Sequence, residues 1–338
     1  MKKILALLLT LVMLLCLFAG CSKQEAEIPK EASSTDTTEA AKEPAATEET
    51  QSADEEIVIG VVVNSLEHVY FNRIKAGMED ECKKVGATLQ LVDGQGDSAI
   101  QMAAVQDFIA AGVDAIAVAW CNTDGSSSIV ELANDAGIPF FCFDVAADGG
   151  DVISTVHTDN YKGGEMAAEY CLKNILTDGT GHCVIIPYDE VESCRNRAQG
   201  FIDYMAENAP DMKVEQIASF SGNRETAYSN FQDALTSIGA ENIDFVFGVG
   251  DDAVLGAITA CEEANVEIPM IGLDGNPEAE QNVAAGGMFK ADVAQAANTI
   301  GITTIDTIMD YLAGKTVEED ILVAPSMITP ENADPEAK

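Results

Sequence analysis

The sequence predicts an α/β protein of two doubly wound lobes, each a parallel sheet covered by helices on both faces. Three observations carry that expectation. Short β-branched runs alternate with helix-length segments from Ile57 onward. Most of the strand segments are continuous apolar runs instead of alternating apolar with polar. The strand–helix series runs once to about Val156 and then restarts at Tyr161 with a similar length. Strands apolar on both sides belong to parallel sheets buried on both faces, and two such series make two similar lobes.

Taken in order, Ile57–Val63 is a continuous β-branched strand. Phe71, Ile74, Met78, Cys82 and Val85 follow at spacings of three and four, the apolar face of a helix. Thr88–Val92 then reads as strand, Ile100–Ala111 as helix, Ala115–Ala119 as strand and Ser127–Ala136 as helix. Pro139–Phe143 and Val152–Val156 complete the first series as strands. The second series opens with helix Tyr161–Leu176, strand His182–Ile186, helix Cys194–Asn208 and strand Lys213–Ala218. It continues with helix Arg224–Ile238, strand Phe245–Gly248, helix Ala253–Ala264, strand Met270–Leu273 and helix Pro277–Ala284. Strand Phe289–Val293 and helix Ala296–Leu312 remain to be placed.

The first 56 residues are of another kind. Lys2 and Lys3 precede an apolar run from Ile4 to Phe18, the n-region and h-region of a secretory signal. The run is about 15 residues, short of the roughly 20 that span a bilayer. It ends in Leu17-Phe18-Ala19-Gly20-Cys21, which resembles the lipobox of bacterial lipoproteins. That resemblance implies cleavage after residue 20 and a diacylglyceryl thioether on Cys21, two acyl chains being what stable anchoring needs. Residues 21–56 are Ala, Glu, Ser, Thr and Pro with almost no large apolar residue, Ile28 being the exception, an extended acidic leash between membrane and folded lobes. The expected location is the extracytoplasmic face of the cell membrane.

Composition narrows the function further. Asp and Glu number 57 against 18 Lys and Arg, a formal charge of −39. So acidic a chain excludes nucleic acid as partner, which needs clustered basic residues. Of nine cysteines, Cys16 leaves with the signal and Cys21 is lipidated. Seven remain, so at least one thiol is free, and Cys183–Cys194 stays an open pairing. No C-x-x-C pair and no clustered histidine points to a metal, and no cofactor is expected. His68, His157 and His182 pair with no Ser or Cys in a hydrolase pattern, and no glycine-rich phosphate loop occurs, so an enzyme is not expected.

In open parallel sheets ligands bind beyond the carboxyl ends of the strands. In the first series those positions hold Asn64, His68, Tyr70, Phe71, Asp93, Trp120 and Asp144. In the second they hold Tyr188 to Arg197, Phe220 to Arg224, Gly250 to Asp252, Asp274 and Asn276. Carboxylates and amides suit pairs of hydroxyls, and aromatic faces suit the C–H patches of a sugar ring.

The chain resembles the ribose- and galactose-type periplasmic sugar-binding proteins, type I solute-binding components of ABC importers, from Ile57 to about Val323. The segments that carry the likeness are Val62 to Phe71, Ala103 to Ile116, Asn134 to Pro139, Thr158 to Gly164, Arg195 to Phe201, Gly250 to Ala257 and Ile271 to Asn276. The resemblance implies that Tyr70 and Phe71 sandwich the sugar, with Asp144 and Asp274 taking hydroxyls. It implies Arg195 as the arginine reaching ring oxygens, with Arg197 as the alternative, and Gln295 as an amide at a crossover between lobes. It implies a three-segment hinge, crossing near Thr158–Asn160, Gln295 and Thr316–Leu322. The lobes are then 57–158 with 296–320, and 159–295 with 321–338. The implied partners are a small carbohydrate or polyol and the transmembrane subunits of an ABC permease, with the protein a monomer.

Departures from the family pattern bear on the ligand. Val145 stands where ribose-type proteins carry an arginine, Gly222 where they carry an aromatic, and Gly250 where they carry an asparagine. His68 replaces an amide, as donor or as a solvated loop residue, and Trp120 is either the missing stacking face or plain core. A nucleoside or autoinducer-type furanosyl ligand, or presentation of the loaded protein to a sensor kinase, is the alternative function. Sugar-responsive regulators share the fold but begin with a helix-turn-helix, where this chain carries a signal.

Overall fold

The computed structural model describes residues 56–337. The expected signal, Cys21 and the leash up to residue 55 lie outside the described residues. Strand β1 (Val58–Val63) opens the first lobe, followed by α1 (Val69–Val85), β2 (Thr88–Asp93), α2 (Ser98–Ala111) and β3 (Ala115–Val118). Then come α3 (Ser126–Asp135), β4 (Phe140–Phe143) and β5 (Ser154–Thr158). The second lobe takes α4 (Asn160–Asn174), β6 (His182–Ile186), α5 (Glu192–Asn208), β7 (Lys213–Gln216) and α6 (Arg224–Ala234). It continues with β8 (Phe245–Gly248), α7 (Asp251–Ala264), β9 (Met270–Asp274), α8 (Pro277–Ala285) and β10 (Phe289–Ala294). Helix α9 (Ala297–Leu312) and strands β11 (Asp320–Val323) and β12 (Ser326–Ile328) close the described chain.

The two sheets repeat one topology. The first has the order β11-β5-β4-β3-β1-β2 and the second β12-β10-β9-β8-β6-β7. All pairings are parallel except β10 with β12. In each sheet the chain steps outward from its first strand to the second, then crosses to the third on the other side. The strand order therefore reverses beside β1 in one lobe and beside β6 in the other, and such switch points are where open α/β sheets hold ligands.

The apolar strands do what their composition demands. Ile59, Val61, Val63, Ala117, Phe141 and Phe143 turn to the α1/α9 side, while Val62, Ile116, Val118, Phe140 and Cys142 turn to the α2/α3 side. Period-two alternation of apolar residues thus fills two cores, one on each face of the first sheet. The seven cysteines among the described residues are free thiols, and only Cys121 is not buried. No helix among the described residues is long and apolar enough to cross a membrane.

The lobes are tied at three crossings. Asp159 N–H donates to the Val323 carbonyl, Thr158 Oγ1 donates to Gln295 Oε1 at 2.8 Å, and Asn160 Nδ2 donates to the Thr158 carbonyl. The third crossing differs from the expected boundary at 320/321. Residues 320–323 pair in parallel with β5, from Asp320 opposite Thr155 to Val323 opposite Thr158. Ile321 and Val323 pack against the first lobe's core, which holds them there, so the chain changes lobes only at Ala324–Pro325.

Candidate functional site

A cleft of about 790 Å³ lies between the carboxyl ends of the two sheets. Its first-lobe wall begins with Tyr70 and Phe71 in the first turn of α1, reached through the loop after β1. The two rings meet edge to face with centroids 5.2 Å apart, and both are mostly buried. Tyr70 Oη donates to Asp144 Oδ1 at 2.7 Å. Burial, and then the Asp144 carboxylate, push the Tyr70 phenol well above its ordinary range, so it remains a donor.

Asp144 follows β4 with φ of +63°, a left-handed conformation that a non-glycine residue holds only under constraint. Its N–H donates to the Val156 carbonyl, which fixes the turn and aims the carboxylate into the cleft. Burial raises its pKa, opposed by the Tyr70 hydroxyl and the Arg197 guanidinium.

The second-lobe wall is built around Arg197, which is 4% exposed. Its Nε donates to Asn160 Oδ1 at 2.8 Å, and Nη1 donates to the Val249 carbonyl and to Asp274 Oδ1, both at 2.9 Å. Asp274 Oδ1 also accepts from Gln295 Nε2 at 2.7 Å, and Oδ2 accepts from Asp251 N–H at 3.3 Å. Burial raises the Asp274 pKa, while Arg197, the Asp251 amide and Gln295 hold it back. Gln295 therefore links the hinge, through Thr158, to a carboxylate in the cleft. Tyr188 and Phe220 supply this lobe's aromatic surface, edge to face at 5.4 Å.

Not every expected residue arrives in the cleft. Arg195 is exposed and donates to the Asp189 carbonyl at 2.6 Å, outside the lining, whereas Arg197, the alternative, lines the cleft. The two are adjacent-but-one on α5, and residues two apart in a helix face different ways. Trp120 borders the cleft, but its ring stacks on Phe140 at 6.0 Å and its indole N–H donates to Cys142 Sγ. At 2% exposure it supplies shape and no free stacking face. His68 caps α1 without a side-chain bond, exposed at the cleft mouth, its ring and that of Phe71 in a T-shaped pair 6.5 Å apart. Asn64, Asn276, Tyr188 and Phe220 also line the cleft. Each directly follows a strand or lies in the loop after one, the signal by which a sequence reader finds them. Among the described residues no group of His, Cys, Asp and Glu is placed to hold a metal.

A family model described as a periplasmic binding protein domain matches residues 59–316. The chain belongs to that family. Among curated relatives of this periplasmic binding protein is the ribose import binding protein of Bacillus subtilis (strain 168), 31% identical over 323 residues. That alignment covers 95% of this chain and 97% of the relative. The galactofuranose-binding protein of Escherichia coli (strain K12) is 28% identical over 267 residues, 74% of this chain and 80% of that one. A solved ABC transporter solute-binding protein from Bacillus halodurans, with bound myo-inositol, superposes with a TM-score of 0.72 at 27% identity. It covers 82% of this chain and 96% of its own. These relatives are binding proteins and not enzymes, and the fold is the two-lobed α/β architecture that the strand–helix rhythm predicts.

Proposed function

We propose that this periplasmic binding protein captures a small carbohydrate or polyol between its lobes and delivers it to an ABC permease, as a monomer lipid-anchored through Cys21 on the extracytoplasmic face. The observation that carries the reading is the convergence of Asp144, Arg197, Asp274 and Gln295 in one cleft between the Tyr70–Phe71 and Tyr188–Phe220 pairs. Asp144 keeps Oδ2 for a ligand hydroxyl while Oδ1 accepts from Tyr70. Arg197 Nη2 has no partner among the described residues and is a donor for a ring or hydroxyl oxygen. His68 at the mouth adds a second donor. Two carboxylates disfavour an anionic ligand. The relatives' ribose, galactofuranose and myo-inositol mark the chemical class.

A thermal-shift screen of pentoses, hexoses, inositols and nucleosides tests the reading, since a ligand of the native state raises apparent stability by mass action. A pentose, hexose or inositol should raise the melting temperature. Asp144→Ala and Asp274→Ala should each weaken its binding by about 1–3 kcal/mol, the cost of leaving partners buried and unpaired. Stabilisation by nucleosides alone would replace the sugar reading with the furanosyl alternative. The anchor is tested separately: Cys21→Ser should abolish incorporation of an alkyne-tagged fatty acid and release the protein from the membrane fraction.

A further inference from the structure

Beneath the loop that carries Asp274 lie two carboxyl groups that the binding scheme above does not use. Asp292, in the middle of β10, is 0% exposed, and Asp251, the first residue of α7, is 1% exposed. Each spends one oxygen on the loop. Asp292 Oδ2 accepts from Gly275 N–H at 3.0 Å, and Asp251 Oδ2 accepts from Asn276 N–H at 2.8 Å. The other oxygen of each, Oδ1, is fully buried and reached by no N–H or hydroxyl donor among the described residues.

The sheet brings these two carboxyl groups to one face. Asp292 stands in register beside Gly272 of β9, so its side chain lies on the face toward which a side chain at 272 would point. A Cβ at Gly272 would lie 2.7 Å from the Phe289 ring and 3.0 Å from Asp251 Oδ1, so the ring and the Asp251 carboxyl together fill the room left by the missing side chain, on the face that Asp292 shares. Two carboxylates in contact in a dry interior repel, and an oxygen–oxygen contact between them is a hydrogen bond only when one holds a proton. The charged group beside them is Asp274, which raises the proton affinity of both. Arg197 stands beyond it, bound to Asp274 on the side away from the pair. The amides of Gly275, Asn276 and Val293 act the other way, and β12 contributes uncharged Ile328 opposite Asp292.

We propose that Asp251 and Asp292 are positioning residues that share one proton in a buried acid–carboxylate hydrogen bond and thereby fix the loop Asp274–Asn276 against which the ligand binds. The single proton turns the two Oδ1 atoms from repelling neighbours into donor and acceptor. The remaining negative charge faces the Gly275 and Asn276 amides and strengthens both bonds. With the amides held, Asp251 N–H meets Asp274 Oδ2, and the Gly275 carbonyl is presented to Arg73 of the first lobe. Burial is the main cause of proton retention; it takes Asp292 up to about 7 and Asp251 well above the ordinary carboxylate range. Near neutral pH the pair therefore keeps a proton. The consequence for ligand affinity rests on the carbohydrate reading; the proton and the loop do not.

The test uses full-length protein without ligand. Isotope-edited infrared spectra of aspartate-labelled protein should show a protonated carboxylic acid at pH 7.5 that is lost in both Asp251→Asn and Asp292→Asn. In each variant the asparagine amide replaces the shared proton as donor and leaves its partner ionised. Hydrogen-exchange protection of the Gly275 and Asn276 amides should persist in both variants and fall at least tenfold in Asp292→Leu. A wild-type spectrum without that acid band, or full protection in Asp292→Leu, overturns the proposal. Neither readout involves a sugar, so failure of the carbohydrate screen would leave this result standing, and the reverse.

Discussion

Arg197 carries its charge where water is excluded, and its neighbours decide what that charge does. Asn160 and the Val249 carbonyl hold the guanidinium rigidly, Asp274 neutralises it, and Nη2 is left toward the cleft. Removing one partner of a buried pair leaves the other uncompensated, at about 3–5 kcal/mol. Arg197→Ala should therefore lower the melting temperature markedly and weaken sugar binding by about a hundredfold or more, at about 1.4 kcal/mol per tenfold. Arg195→Ala, which removes an exposed bond to a loop carbonyl, should leave calorimetric affinity unchanged. The distinction was legible in the sequence, though the family resemblance names Arg195 first and Arg197 only as the alternative. Cys194, Ala198, Phe201 and Met205 form the buried stripe of α5, and Arg197 falls within it while Arg195 does not. Trp120 has the same lesson, since period-two alternation places it with Ile116 and Val118, on the core face. The left-handed turn at Asp144 leaves no such signal, because the backbone conformation there is imposed by Val156 across the sheet.

Helix α5 reaches its position because α4 comes unusually close to it. Gly164 of α4 faces the Arg197 carbonyl, and Gly200 of α5 faces the Tyr161 carbonyl; a Cβ at either would stand 1.9 Å and 2.1 Å from those oxygens. Backbone cannot yield as a flexible side chain can, so Gly164→Ala should cost about 1–3 kcal/mol by overpacking. It should also push Arg197 off Asp274, so that affinity falls along with melting temperature. A variant that loses stability with unaltered affinity would show that α5 shifts without moving its arginine. The strand–helix elements were nearly all readable from apolar runs, but β11 and β12 were not. They span four and three residues, too short for a periodic signal, and only the open edge of β5 and of β10 assigns them. At this scale too, the acids between α7 and β10 leave a mark on stability. Asp292 has its pKa raised on folding, so the folded protein binds more protons than the unfolded chain from about pH 4 to about 7. Its contribution is present below that window and is lost as pH rises through it. Melting temperature should fall between pH 5 and pH 7.5, by the equivalent of about 2–3 kcal/mol at 1.36 kcal/mol per unit. The fall should be smaller in Asp292→Asn.

For the whole molecule, the question is what holds two lobes together around a cleft before a ligand does. The hinge supplies one constraint through Thr158, Gln295, Asp159 and Val323, all on the side of the cleft where the chain crosses. Across the cleft, Arg73 of α1 donates from Nη1 to the Gly275 carbonyl at 2.7 Å, a direct bond from one lobe to the other. Gly275 is the residue after Asp274, so the bond that spans the lobes ends on the loop that carries a proposed ligand carboxylate. Ligand contact with both walls stabilises the closed arrangement over the open one, and Arg73 adds to the same side of that equilibrium. A bond between the lobes favours the arrangement in which it is made without touching the ligand. Arg73→Ala should thus leave the melting temperature of each lobe's core nearly unaltered and enlarge the radius of gyration of the ligand-free protein in small-angle scattering. At saturating sugar the variant and the wild type should have the same dimensions, with the variant's affinity lowered about tenfold, mostly through faster release. Identical ligand-free dimensions in variant and wild type would mean that Arg73 is a bystander and that the hinge alone sets the opening.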